Sequence, residues 1–157
     1  MRTFKLALFL LALLFAQTVL LPFLTFFGAM PDLFLVAVIV YAVMVDRGGS
    51  TIFAAGAGFL QDLFSSGIYV NTLAKVLVNT FVGAIGNEVV GDVRSFAASM
   101  VAIITPLYLI VEGLVVYFWQ GNHFSVYYYL LVVLLTTIYN LVFVPVVYHV
   151  LKNIVHE

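Results

Sequence analysis

Long apolar runs broken by short polar punctuation make up the chain, and the polar residues inside the runs recur at helical spacing. Runs at about residues 4–27, 32–46, 49–64, 70–90, 95–119 and 126–151 each predict a helix. Between them stand Gly-Ala-Met-Pro, Asp-Arg-Gly-Gly, Ser-Ser-Gly, Gly-Asp-Val-Arg and Gln-Gly-Asn-His, connections as short as packed helical hairpins use. Charge-free stretches at 6–31, 95–111 and 113–151 each reach spanning length. The pattern predicts an all-α integral membrane protein: a compact bundle of six transmembrane helices in a single domain, residues 1–157.

Helices two and three are the shortest, since the runs 33–45 and 48–61 hold only about 13 and 14 residues. A re-entrant hairpin is the alternative. It would place Asp46 and Arg47 deep in the bilayer at about 2.5–3.5 kcal/mol each. Two short spans in locally thinned lipid are therefore the expectation.

Composition sharpens the class. The chain is 65% hydrophobic and 8% charged with mean hydropathy +1.21, against roughly 45–50% and 25% for a soluble domain. No hydrophilic stretch is long enough for a soluble domain on either side of the bilayer. The basic start Arg2 to Lys5 runs into an apolar segment too long for a signal-peptide core and without a small-x-small cleavage site, so a retained first helix is expected. The absence of cysteine excludes disulfides, a thiol nucleophile and Cys-ligated metal, and a net charge of −1 gives no reason to expect nucleic acid.

Charge placement sets the orientation. Arg2, Lys5, Arg47, Arg94 and Lys152 mark one side, while the turns around Gly28, Gly67 and Gly121 carry no Lys or Arg. Both termini are thus expected in the cytoplasm. Tyr117, Trp119, Tyr127, Tyr128 and Tyr129 flank the last external turn, where amphipathic rings anchor at headgroup depth. Asp32, Ser50, Asn71, Ser95 and Ser125 stand where helix N-caps belong. Pro106 and Pro145 fall inside helices five and six, where each removes a backbone donor.

The candidate site is a polar seam. Asn71, Lys75, Asn79, Gly83 and Gly86 share one face of helix four, and Thr51, Ala55, Gly58 and Asp62 share one face of helix three. The two faces are expected to pair as an antiparallel hairpin, with small residues allowing close approach and Asn side chains bonding across it. Asp62 and Lys75 lie at similar depth, so an ion pair is expected between them; it either fixes the hairpin or forms part of a ligand or partner site. Glu112 is the other intramembrane charge and needs a proton, water or a partner, with Lys75, Thr136 and Tyr129 all candidates. Asn140 reads as an interhelical hydrogen bonder.

Catalytic chemistry is thinly supplied. His123, His149 and His156 make no pair at the i, i+4 spacing of a helical metal site, and no Gly-rich phosphate loop follows a strand. No enzyme activity, cofactor or metal is expected.

Pro31-Asp32-Leu33, Gly58-Phe59-Leu60-Gln61-Asp62-Leu63, Ser66-Gly67 and the helix carrying Gly83 and Gly86 resemble the bacterial rod-shape-determining protein MreD family over residues 31–86. The resemblance implies a non-enzymatic scaffold in the bacterial inner membrane, associating with the bitopic protein MreC and helping organise peptidoglycan synthases and cell shape alongside cytoskeletal MreB. That family is similar in architecture to the S components of energy-coupling-factor vitamin transporters, which implies the alternative of a small-molecule pocket near Asp62, Lys75 and Glu112. The partner-facing helix surface and the oligomeric state, including self-association, stay open.

Overall fold

The computed structural model describes residues 2–64, 70–86, 91–120 and 125–155, and these are helical almost throughout. The helices are α1 (Arg2–Phe15), α2 (Leu33–Met44), α3 (Arg47–Phe64), α4 (Asn71–Gly86), α5 (Val93–Gln120) and α6 (Val126–Val155). α1 continues through a π-helical turn, Ala16–Leu20, and a 3-10 turn, Leu21–Leu24. Arg2–Leu24, Val93–Phe118 and Val126–Val155 are long and apolar enough to cross a membrane. Pro106 and Pro145 sit inside α5 and α6, each of which runs on through its proline.

The arrangement is a ring around a shaft. α2 touches α1, α3, α4, α5 and α6, and those five touch one another in the cyclic order α1, α3, α4, α5, α6. Every residue from Leu33 to Ala42 is buried, as a helix apolar on all sides must be. At 12 residues, α2 is about 18 Å long. Its neighbours, not lipid, cover it, so its shortness does not require a thinned bilayer around it.

Phe9 and Leu13 of α1, Phe53, Ala54 and Ala57 of α3, Val82 of α4, Val101 and Ile104 of α5 and Val144, Val147 and Leu151 of α6 pack with α2 in one core. At the end bearing the basic residues, the Tyr41 ring packs tilted against Phe53 with ring centres 4.5 Å apart, and its hydroxyl accepts a hydrogen bond from Arg2 at 3.0 Å. The outer faces are apolar as well, with Leu73, Leu77 and Phe81 exposed on α4 and Val142 and Val146 on α6. Water would penalise such a surface and lipid does not.

The other end is closed over by a two-residue turn. Phe26 and Ala29 exchange backbone hydrogen bonds of 3.1 and 2.9 Å around Phe27 and Gly28, whose φ values are 49° and 76°. Positive φ at both central positions is the mirror-image turn that favours glycine. Phe27 adopts it against its side chain's preference, and the Tyr128 hydroxyl donates to the Phe27 carbonyl at 2.9 Å. Tyr128 is therefore a clasp between α6 and this turn, and Tyr129 likewise donates to the carbonyl of Leu109 on α5. At this end, where the sequence places aromatic anchors, the hydroxyls of both rings also tie the bundle together. The side chain of Trp119, and His123 and His156, lie outside the described residues.

Helix starts differ from expectation in a consistent way. Asp32 caps α2, its carboxylate accepting the Leu35 N–H at 2.9 Å. For α3 and α5, however, the caps are Asp46 and Asp92, accepting from Gly49 N–H at 3.3 Å and Ser95 N–H at 3.0 Å. Ser50 and Ser95 lie inside the first turn, and Ser50 donates back to the Arg47 carbonyl. In each case an aspartate three or four residues earlier outcompetes the serine, because its charge also favours the helix N-terminus. Ser125 immediately precedes α6 and receives the Tyr129 N–H on its carbonyl.

Candidate functional site

The α3–α4 hairpin is held where its backbones come closest. A methyl group on Gly58 would sit 2.7 Å from the Asn71 carbonyl oxygen and 2.8 Å from the Thr72 nitrogen, so only glycine fits there without displacing α4. One turn further along α3, Asp62 accepts from the Asn71 N–H at 3.0 Å, the Thr72 N–H at 2.8 Å and the Thr72 hydroxyl at 2.6 Å. Asp62 is the N-cap of α4 supplied from another helix. That job was expected of Asn71, whose side chain turns elsewhere. Lower in the seam, Asn79 donates to the Thr51 hydroxyl at 3.1 Å, as two facing polar stripes imply.

Lys75 does not pair with Asp62. It is fully buried and its Nζ lies 3.4 Å from Asp32 Oδ2. The physical reason is that Asp62 is already saturated by three donors, whereas Asp32 uses Oδ1 for its own cap and leaves Oδ2 free. Lys75 also donates to the Tyr108 hydroxyl at 3.3 Å and lies 5.0 Å from the centre of that ring. The Tyr108 hydroxyl donates in turn to Asn71 Oδ1 at 2.5 Å. The face of α4 is thus shared: Asn79 meets α3, Lys75 meets α2 and α5, and a methyl group added at Gly83 or Gly86 would stand 3.9 Å from the Ala42 carbonyl oxygen or 3.8 Å from the Val43 Cα of α2.

A second chain of bonds secures the same end of α2. Asn140 of α6 accepts from the Asp32 N–H at 2.8 Å and donates to the Thr105 hydroxyl at 3.2 Å. Gln17, in the π-helical turn after α1, accepts from the Leu33 N–H at 3.0 Å and donates to the Pro31 carbonyl at 2.8 Å. Wider helical turns of this kind recur at functional sites; here the turn delivers an amide to the mouth of the central helix. Three elements therefore bond within one turn of Asp32, through Gln17 after α1, Lys75 of α4 and Asn140 of α6, while Thr105 and Tyr108 of α5 hold Asn140 and Lys75 from behind.

Glu112 stands apart. It is exposed on α5, and Lys75, which acts on it electrostatically, forms its ion pair with Asp32 instead. On one side it borders a groove of about 510 Å³ between α4 and α5, walled by Ala74, Leu77, Val78, Phe81, Leu107 and Val111 with Asn71 and Tyr108 at its floor. On the other it borders a more polar hollow of about 360 Å³ with Gln17, Asp32, Gln61, Tyr129 and Thr136. The groove exists because α4 and α5, though neighbours in the ring, touch over only a short stretch. A charged side chain facing lipid at the centre of a spanning helix costs about 2.5–3.5 kcal/mol.

Of the expected site residues, Asp62, Asn71, Lys75 and Asn79 converge between α3 and α4 or at their margin, and Glu112 borders the same region without bonding to them. Asp32, Tyr108, Gln17, Thr105 and Asn140 complete the network. Thr105 stands one position before Pro106 and Tyr108 reads as a packing aromatic, so neither stood out, whereas Gln17 is a strongly polar residue within an otherwise apolar run. No metal-binding cluster of His, Cys, Asp or Glu occurs among the described residues.

No protein-family model, curated protein or solved structure matches the chain.

Proposed function

We propose that this chain is a six-pass, non-enzymatic scaffold of the bacterial inner membrane, MreD-like, which binds the single-pass protein MreC and supports peptidoglycan synthesis and rod shape. Both termini are cytoplasmic in this reading. The observation that carries it is the use made of the residues behind the resemblance. Gly58 sets the helix contact, Asp62 caps the next helix and Asp32 ties α2 to α4 and α6. Each holds helices in register, which is what a scaffold asks of its buried polar groups. The test is depletion in the producing bacterium with co-purification of MreC. Loss of rod shape together with recovery of MreC supports the proposal; normal shape and no MreC refute it.

A second reading rests on the hollow beside Gln17, Asp32 and Glu112, whose volume of about 360 Å³ falls within the range of small-molecule sites. An S-component-like subunit would bind its vitamin there. Native mass spectrometry decides: a stoichiometric vitamin on the purified protein, without a shape defect on depletion, favours this alternative.

A further inference from the structure

We propose that the groove between α4 and α5 is the docking site for one transmembrane helix of a different protein, which brings a lysine or arginine to Glu112. The inference deepens the scaffold proposal and rests on it for the partner's identity, though not for its chemistry.

Charge complementarity selects the occupant. Glu112 is exposed at the groove's edge, and Lys75, whose charge it feels, is committed to an ion pair with Asp32. It lies eight residues before the end of α5 at Gln120, about 12 Å or two turns inside that end. Acyl chains filling the groove would leave the carboxylate unanswered. A crossing helix with a basic side chain in the corresponding half answers it, and the apolar walls of Leu77, Leu107 and Val111, each more than half exposed, supply the packing on which helix association in lipid depends.

A second copy of this chain is a poor fit. Its cations are Arg2, Lys5, Arg47, Arg94, Lys152 and Lys75. The first five stand at the opposite ends of their helices from the level of Glu112, and Lys75 is fully buried against Asp32. Two copies meeting at this groove would instead bring Glu112 near Glu112. The occupant must come from another chain.

The test uses the whole protein in its own membrane. A photo-crosslinking amino acid is placed at Leu77 or Val111 in the groove and, as a control, at Ile138 on the outer face of α6, and the captured peptide is mapped in living cells. The expected product is a transmembrane segment of another protein with Lys or Arg within a turn of the crosslink. Glu112→Gln should lower that capture about tenfold. Glu112→Lys should abolish it, and exchanging the partner's basic residue for Glu should restore it. An unchanged melting temperature and unchanged Ile138 products confirm that the variants fold.

If the captured helix belongs to MreC, the docking site and the scaffold reading both stand. If another protein's basic helix is captured, the docking site stands and the rod-shape reading falls. If MreC is captured from Ile138 alone, the reading stands and this inference is overturned. Capture of lipid only, of a second copy, or of a helix indifferent to Glu112→Gln also overturns it.

Discussion

Exchanging Lys75 for methionine tests the core of the structure most directly. The change keeps the length of the side chain while removing its charge. Lys75 is fully buried, 3.4 Å from Asp32 Oδ2 and 3.3 Å from the Tyr108 hydroxyl. Breaking a buried pair by removing one partner costs about 3–5 kcal/mol, because the other charge is left unanswered. Asp32 would retain the Leu35 N–H and the favourable field of the α2 N-terminus, worth about 0.3–2 kcal/mol. Lys75→Met should therefore fall near the lower end, about 3 kcal/mol. Asp32→Asn keeps a capping oxygen and leaves Lys75 with Tyr108 alone, so a similar loss is expected. The double variant removes both charges, and the deficit should come out smaller than the sum by about 2–3 kcal/mol of coupling. Reversible unfolding in mixed micelles measures each corner of the cycle. Additivity within about 0.5 kcal/mol, or stronger coupling of Lys75 to Asp62 than to Asp32, would refute the assignment of the pair.

Three further outcomes follow from other contacts. Gly58→Ala should destabilise the protein by about 1–3 kcal/mol in the same unfolding assay, since the new methyl meets backbone atoms of Asn71 and Thr72 that cannot swing away. Asn140→Leu leaves the Asp32 N–H and the Thr105 hydroxyl without their partner and should cost about 1–3 kcal/mol; hydrogen exchange at the start of α2 should rise with it. Asp92 is held below the ordinary aspartate value of 3.8 by the Ser95 hydroxyl and then the Ser95 N–H. Its support for the start of α5 is therefore complete above that value and lost as pH falls through the lowered one. Asp92→Asn should remove this acid sensitivity, as read by NMR at the Ser95 amide.

Much of the hairpin was legible because helical spacing is a local property. Asn71, Lys75 and Asn79 had to share a face of α4, Thr51 and Asp62 a face of α3, and the two meet through Asn79 with Thr51 and Asp62 with Asn71 and Thr72. The partner of Lys75 was not legible, because a carboxylate has two oxygens and sequence position discloses only one use. Asp32 looked like a cap and is one; its second oxygen holds the lysine of another helix. Tyr108 was hidden for a different reason. An aromatic residue in an apolar run reads as packing or lipid contact, and only tertiary structure shows its hydroxyl between Lys75 and Asn71. The central place of α2 did have a trace in the sequence, since Leu33 to Met44 is apolar on every face and a ring helix can spare one face for polar residues.

The position of α2 in the chain also bears on the order of assembly. The innermost element is synthesised ahead of most of its sheath, and α6, made well after it, supplies Asn140 to its first turn across 108 positions of sequence. Until α6 emerges from the ribosome, the shaft is incompletely sheathed and the Asp32 amide has no such acceptor. The closing of the shell around α2 thus waits on a helix made long after it, and chains halted before α6 leave the shaft open on that side.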